Sequence, residues 1–141
     1  RSGSVTGVQT CALPIYAAAL FLDCRGVPLG ATIISIGSLT QISMLGREVY
    51  KAAVTANAAG LLISHNHPSG SPLPSAADLR VTRRLQQAGE LLGIRLLDHL
   101  IVTPSGGQFT SLREAGLLVG TESTVANSKN SSGPCGANSS G

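Results

Sequence analysis

The chain has 141 residues, of which 43% are hydrophobic and 12% are charged, and its formal net charge is +3. This length and apolar content suit one domain with a single core, and the low charge excludes a polybasic nucleic-acid binder while leaving room for a local basic face. The three cysteines are scattered and odd in number, which fits neither a disulfide framework nor paired-thiolate zinc spacing, so a reducing cytoplasm is the simplest compartment.

The first fifteen residues show neither helical nor strand periodicity. They contain VTGVQTCALPI, which resembles the translation of a common sequencing-library adapter, so we expect an artefactual segment here and a natural gene that is truncated at this point. The segment lacks the cationic start and hydrophobic block of a secretion signal, and no apolar run approaches the roughly 18 residues of a membrane span. We therefore expect a cytoplasmic protein with no membrane partner.

Two strands and a helix are predicted next along the chain. The strands are AAALFLD at 17–23 and LGATIISIG at 29–37, joined by a turn into a hairpin. The helix lies in REVYKAAVTANAAG and is expected to end at Gly60. Small and apolar side chains repeat at helical spacing along it, which indicates close packing on a sheet: Val49, Ala53 and Ala56.

The second half of the chain continues this alternation. LLIS predicts a short buried strand, and SAADLRVTRRLQQAGELLG predicts the longest helix, starting at Ser75 and stopping at Gly93. Its buried stripe is predicted to contain Val81, Leu85, Ala88 and Leu92. Two further strands are predicted at 96–102 and 108–112, so the fold class is α/β, in the sense of mixed α and β.

The stretch HNHPSGSPLPSAAD contains the strongest chemical pattern in the chain. His65 and His67 directly follow the strand LLIS, and residues two apart in extended backbone project to the same side, so both imidazoles can converge. A turn rich in proline and glycine then leads to the helix at Ser75, with Asp78 in its first turn. Because Asp78 shares the buried stripe of that helix, we expect it to face the end of the sheet.

Two imidazoles and one carboxylate leave a fourth tetrahedral position open, which is typical of a catalytic zinc site and not of a structural one. Zinc bound there would lower the pKa of a water ligand to roughly 7. Simpler interpretations exist for each part. SAAD also fits a capping box, in which Ser75 and Asp78 stabilise the helix start, and capping can coexist with ligation. A histidine pair alone is often an ordinary polar loop feature.

The stretch SHNHPSGSPLPSAADL, with REV upstream and GIRLLDHLIV downstream, closely resembles the RadC family of bacterial proteins over roughly residues 16–118. The domain of that family belongs to the JAB1/MPN (JAMM) metallopeptidase superfamily. The resemblance implies a JAB1/MPN-like fold, a layered sheet flanked by helices that is broadly shared with cytidine deaminases. It also implies that zinc is held by His65, His67 and Asp78, and that Ser75 is a catalytic residue that positions the water or the developing oxyanion.

The resemblance further implies a general-base Glu just before the first strand, which in this chain falls near Ile15 and Tyr16. No carboxylate is present there, and we expect the adapter-like junction to have removed it. Glu48 and Asp23 are possible substitutes. A Glu in the first turn of a helix is more commonly a dipole or capping residue, and Asp23 is better explained as the cap of a turn.

Two other polar features admit more than one interpretation. His99, in the apolar strand LLDHLIV, could be a second-shell partner or a spare ligand, although a histidine in such a strand is more commonly a core residue. Three arginines of the long helix most simply face solvent, with contact to acidic protein or DNA as the alternative: Arg80, Arg83 and Arg84.

The predicted organisation is an artefactual segment at 1–15, a RadC-like JAB/MPN domain at 16–118, and a disordered tail at 119–141 that is rich in Ser, Asn and Gly. The predicted function is a zinc-dependent hydrolase acting on a peptide or isopeptide bond of a protein substrate, inactive in this copy if the Glu is missing. A nucleoside deaminase is excluded because its H-x-E and P-C-x-x-C motifs are absent. The stronger alternative is a non-catalytic metal-binding accessory module associated with DNA repair or recombination.

Overall fold

The computed structural model describes residues 14–35, 42–104 and 106–119. Most of the predicted artefactual segment and nearly all of the predicted tail lie outside these residues. The described parts form five strands and two helices. In chain order they are β1 (Tyr16–Leu22), β2 (Pro28–Ser35), α1 (Ile42–Thr55), β3 (Gly60–Asn66), α2 (Ala76–Leu92), β4 (Arg95–Val102) and β5 (Phe109–Ser111).

The strands form one sheet in the order β2-β1-β3-β4-β5, which confirms the mixed α and β class and the predicted hairpin. Every neighbouring pair is antiparallel except β3 and β4, which are parallel. Parallel strands need a crossover connection, and here α2 supplies it. The helix therefore runs back along the sheet, and its first turn lies near the carboxyl end of β3.

One face of the sheet packs against both helices. Alternate side chains of β1 are buried in this core, and Ala17 and Ala19 are only 1% exposed because the helices lie close over them. On α1, Val49 and Ala53 are completely buried, which confirms the predicted small-faced helix. The half-buried side chains of β1, such as Leu20, point to the opposite face of the sheet.

Both ends of α1 differ from the prediction. The helix begins at Ile42, so Glu48 lies outside its first turn. The helix ends at Thr55 and not at Gly60, because Asn57 adopts a left-handed conformation with φ 58°. The backbone N–H of Asn57 donates to Val54, and that of Ala58 donates to Ala53, the two bonds of a Schellman motif. Asparagine therefore ends this helix, and Gly60 is free to begin β3.

The ends of α2 agree with the prediction, but its buried stripe does not agree throughout. Ser75 is the N-cap, and Gly93 is the C-cap with φ 73°. Val81 and Leu85 are buried as expected, whereas Leu92 is 51% exposed. The stripe ends at Gly89, where a Cβ atom would lie 2.6 Å from the hydroxyl oxygen of Tyr50 on α1. A Cβ atom at this position would also overlap the backbone carbonyl oxygen of Ile94, so only glycine fits here.

Two further observations concern the expected compartment. No helix among the described residues combines the length and apolarity needed to cross a membrane. Cys24, in the turn after β1, is disulfide-bonded, contrary to the expectation from the scattered cysteines. The cytoplasmic location therefore stays a prediction.

Candidate metal centre

The two histidines lie at the carboxyl end of β3. His65 is within the strand, and the backbone N–H of His67 donates to the carbonyl of Val102 at 2.9 Å, which extends the pairing with β4. The rings stand on the same side of the strand, with their centroids 4.8 Å apart. Their convergence follows from the i and i+2 spacing in extended backbone, as predicted.

The turn after His67 sets the orientation of its ring. Gly70 has φ 86° and its N–H donates to the carbonyl of His67, so the chain turns back tightly enough for the Ser71 carbonyl to approach the imidazole. His67 Nδ1 lies 2.9 Å from that carbonyl oxygen. A carbonyl can only accept, so Nδ1 donates, and a neutral ring then has its lone pair on Nε2.

Asp78 is completely buried and faces the end of the sheet, as predicted. Its Oδ2 accepts hydrogen bonds from the Ser75 backbone N–H at 2.7 Å and from the Ser75 hydroxyl at 2.8 Å. The Ser75 hydroxyl in turn accepts from the Asp78 N–H, which completes the predicted capping box. Burial raises the pKa of the Asp78 carboxyl, but the closeness of the His65 imidazole and the hydrogen bonds from Ser75 outweigh burial and hold that pKa well below its usual value.

These three side chains converge on one point. His65 Nε2 lies 3.0 Å from Asp78 Oδ1, and His67 Nε2 lies 3.0 Å from Asp78 Oδ2. Their potential ligand atoms all lie within 4.8 Å of one another, so the group could hold a metal ion. Their order in the chain, two histidines and then the carboxylate, matches the predicted set.

Two atoms of this group show that a cation fits it. His65 Nε2 and Asp78 Oδ1 are buried, and neither has a hydrogen-bond partner despite their short separation. A buried polar group without a partner costs about 1 to 3 kcal/mol. A divalent cation would satisfy both atoms at once, and two imidazole nitrogens with one carboxylate are ligands that zinc accepts.

His99 lies directly behind His65. Its Nε2 is 2.8 Å from His65 Nδ1, and its Nδ1 is 2.7 Å from the Thr82 hydroxyl. Burial lowers the pKa of His99 to about 3, so the ring is neutral near pH 7. The structure thus places His99 beside the candidate metal ligands and outside their group. Thr82 was missed from the sequence, although its position four residues after Asp78 puts it on the same helix face.

The alternative carboxylates lie elsewhere. Asp23 accepts from the backbone N–H groups of Arg25 and Val27 at 2.8 and 2.9 Å, which confirms that it caps the turn. Hydrogen bonding from Val27, with help from Arg25, lowers its pKa. Glu48 lines a groove between α1 and β2 together with Lys51, and none of the candidate metal ligands lines that groove. The three arginines of α2 are exposed to solvent, as expected.

The position expected for a general base lies at the start of β1. The side chain of Asn66 accepts from the Tyr16 N–H at 2.6 Å and donates to the Pro14 carbonyl, which ties this segment to the end of β3. Ala17 pairs with His65, so continuing the antiparallel register by two residues places Ile15 opposite His67. Ile15 lies on the same face as Ala17 and packs partly against the core.

Ser75→Ala separates the role of this residue in capping from any role in holding metal. We expect the free energy of unfolding of the metal-free protein to fall by about 1 kcal/mol, because one half of the capping box is lost. Zinc affinity should change less than about tenfold, since Oδ1 of Asp78 and the backbone bond to Oδ2 both remain. Urea unfolding and zinc titration measure the two effects, with Ser75→Thr as the control that keeps the hydroxyl. A complete loss of zinc binding in Ser75→Ala would contradict this assignment.

Comparison with known proteins finds one matching family model and several relatives of this chain. Residues 16–117 match the family model of the RadC-like JAB domain. A UPF0758 protein of Geobacter sulfurreducens is 47% identical over 103 residues, which cover 73% of this chain and 44% of that protein. UPF0758 proteins of Moorella thermoacetica and Clostridium botulinum are 47% and 41% identical over 97 and 99 residues, each covering 42% of the relative. The chain therefore spans less than half the length of these curated relatives.

Proposed function

Because the chain belongs to the RadC-like JAB domain family, we propose that it is a zinc-dependent hydrolase domain that cleaves peptide or isopeptide bonds. The observation that supports the proposal best is the pair of buried atoms, His65 Nε2 and Asp78 Oδ1, that face each other without hydrogen bonds beside His67. The names of the relatives state no activity, so the support comes from the chemistry of these side chains.

Each residue of the site has a proposed role. His65 and His67 would hold zinc through Nε2, and Asp78 would hold it through its carboxylate. Zinc held there supplies an acidified water and a Lewis acid for the scissile carbonyl. The exposed Ser75 holds Asp78 in place, and its hydroxyl can reorient to donate to the water or to the developing oxyanion.

The reaction also needs a group that takes a proton from the attacking water and gives it to the leaving nitrogen. Among the described carboxylates, Asp78 alone belongs to the ligand group, and its Oδ2 is already committed to Ser75. We therefore propose that the chain with Ile15 immediately before β1 binds metal and turns over slowly. A non-catalytic metal-binding module associated with DNA repair or recombination is the second candidate, favoured by the same lack of a base.

The first test is metal content. We expect the purified chain, loaded with zinc and then dialysed, to retain about one zinc per molecule, because one group of three converging ligands is present in the described residues. Elemental analysis measures the ratio, and replacement by cobalt gives a visible spectrum that reports tetrahedral geometry. A protein that retains no zinc after loading would contradict the proposed function and the second candidate together.

A further inference from the structure

We propose that Thr82 and His99 are positioning residues that fix which nitrogen of His65 carries the proton, so that the Nε2 lone pair points to the metal position. This inference rests on the proposed function, because it concerns the same metal site. It extends that function to two residues that touch neither the metal position nor the substrate.

The argument begins at Thr82, which has one hydroxyl proton and two short contacts. Its Oγ1 lies 2.7 Å from the backbone carbonyl of Asp78 and 2.7 Å from His99 Nδ1. A carbonyl oxygen carries no proton, so the contact with Asp78 requires the hydroxyl to donate there. Thr82 must then accept from His99, and His99 Nδ1 carries a proton.

The positions of the ring protons on His99 and His65 follow from this proton on His99 Nδ1. His99 is 1% exposed and its ring contacts no carboxylate, so burial disfavours a second proton on it; with a proton on Nδ1, its Nε2 has a lone pair. That lone pair lies 2.8 Å from His65 Nδ1, which must therefore donate. A His65 ring whose one proton is on Nδ1 has a lone pair on Nε2, and this is the atom that lies 3.0 Å from Asp78 Oδ1.

If the hydrogen bonds among Thr82, His99 and His65 were donated in the opposite direction, fewer of the polar groups would have a partner. If Thr82 donated to His99 and His99 donated to His65, the contact of 2.7 Å between Thr82 Oγ1 and the Asp78 carbonyl would have no proton. His65 Nε2 would also carry a proton, yet this buried atom has no hydrogen-bond partner despite its closeness to Asp78. The contact with the first turn of α2 therefore selects the direction that prepares His65 for metal.

The hydrogen bonds that run from Thr82 through His99 to His65 form a relay. This relay removes a cost in the free energy of metal binding before the metal arrives. A histidine that must change its protonated nitrogen loses part of its metal affinity, whereas one held in the ligating form does not. Hydrogen bonds to the second nitrogen of a metal-binding histidine are typically worth about 10- to 100-fold in affinity. Here the acceptor is His99, and Thr82 determines which nitrogen of His99 carries the proton. The affinity of His65 for metal therefore depends on Thr82 as well.

The test is a matched pair of substitutions at Thr82, read in two ways. Thr82→Val keeps the shape and removes the hydroxyl, while Thr82→Ser keeps the hydroxyl. Nitrogen-15 NMR of the metal-free proteins reports which nitrogen of His65 is protonated, and zinc titration reports affinity. We expect wild type and Thr82→Ser to have the proton on Nδ1 and to bind zinc within about threefold of each other. In Thr82→Val we expect the form with the proton on Nε2 to appear and zinc affinity to fall about 10- to 100-fold.

The NMR measurement keeps this inference separate from the proposed function, since it needs no metal. A proton on Nε2 of His65 in the metal-free wild type would overturn the inference even if zinc binds. Equal zinc affinity in Thr82→Val and wild type would also overturn it. Urea unfolding of each variant shows whether a change in affinity reflects the relay or a loss of folded protein, and a loss of affinity explained by unfolding alone counts against the relay.

Discussion

Replacing Ile15 with Glu is expected to raise hydrolysis by the zinc-loaded protein about 100- to 10,000-fold, the usual contribution of a positioned general base. The register of β1 against β3 places position 15 opposite His67 and on the same face as His65. A Glu side chain there can reach the water that attacks the scissile carbonyl, take its proton and pass it to the leaving nitrogen. The unaltered chain has no such group at this position, so most of the gain should appear in kcat.

The measurement is kcat on a panel of peptide and isopeptide substrates, with two matched controls. Ile15→Gln has the same shape without a titratable carboxyl, and Tyr16→Glu puts the carboxylate on the opposite face of the strand. Both should stay near the activity of the unaltered chain. Ile15 packs partly against the core, so urea unfolding must show that Ile15→Glu is folded.

Two results would contradict the role proposed for position 15. Equal activity in the unaltered chain and Ile15→Glu would show that hydrolysis does not depend on a carboxylate at position 15. No activity in any folded, zinc-loaded variant would favour the non-catalytic module.

The second large effect is expected from Asp78→Asn, which should weaken zinc binding by about 100- to 1,000-fold. Zinc sites in proteins are worth roughly 10 to 16 kcal/mol in apparent binding free energy, so one ligand of three or four contributes about 3 to 4 kcal/mol. Asp78 is the anionic ligand of the group and is completely buried. The amide oxygen of Asn can still accept from the Ser75 N–H, so the helix start should be preserved.

Competition with a zinc chelator of known affinity measures this change. Glu90→Gln is the matched control, because it removes one negative charge from an exposed position of the same helix. We expect it to bind zinc as the wild type does. Tight zinc binding by folded Asp78→Asn would show that the carboxylate is not a ligand.

Much of the site could be predicted because its parts follow local rules. The alternation of a strand brings His65 and His67 to one side, and the preferences of a helix start place Ser75 and Asp78 together. These rules act over a few residues, so they can be applied to the sequence without knowing the fold. The same locality explains why both ends of α2 agree with the prediction.

The features that could not be predicted depend on contacts between distant elements. His99 lies beside His65 only because β3 and β4 pair in parallel, a register that no local pattern specifies. The exposure of Leu92 depends on which turns of α2 lie over the sheet, which is a matter of tertiary packing. For α1, the predicted end at Gly60 is wrong because Asn57, three residues earlier, supplies the left-handed residue.

The crossover from β3 through α2 to β4 has a consequence for how the protein folds. The candidate ligands and the two residues behind them all belong to this unit, and their longest separation along the chain is the 34 residues from His65 to His99. Parallel pairing across a crossover closes a longer loop than a hairpin does, and pairing of this kind forms slowly in folding. The donor set should therefore assemble late, after β3 and β4 have paired across α2 and after the hairpin of β1 and β2 has formed.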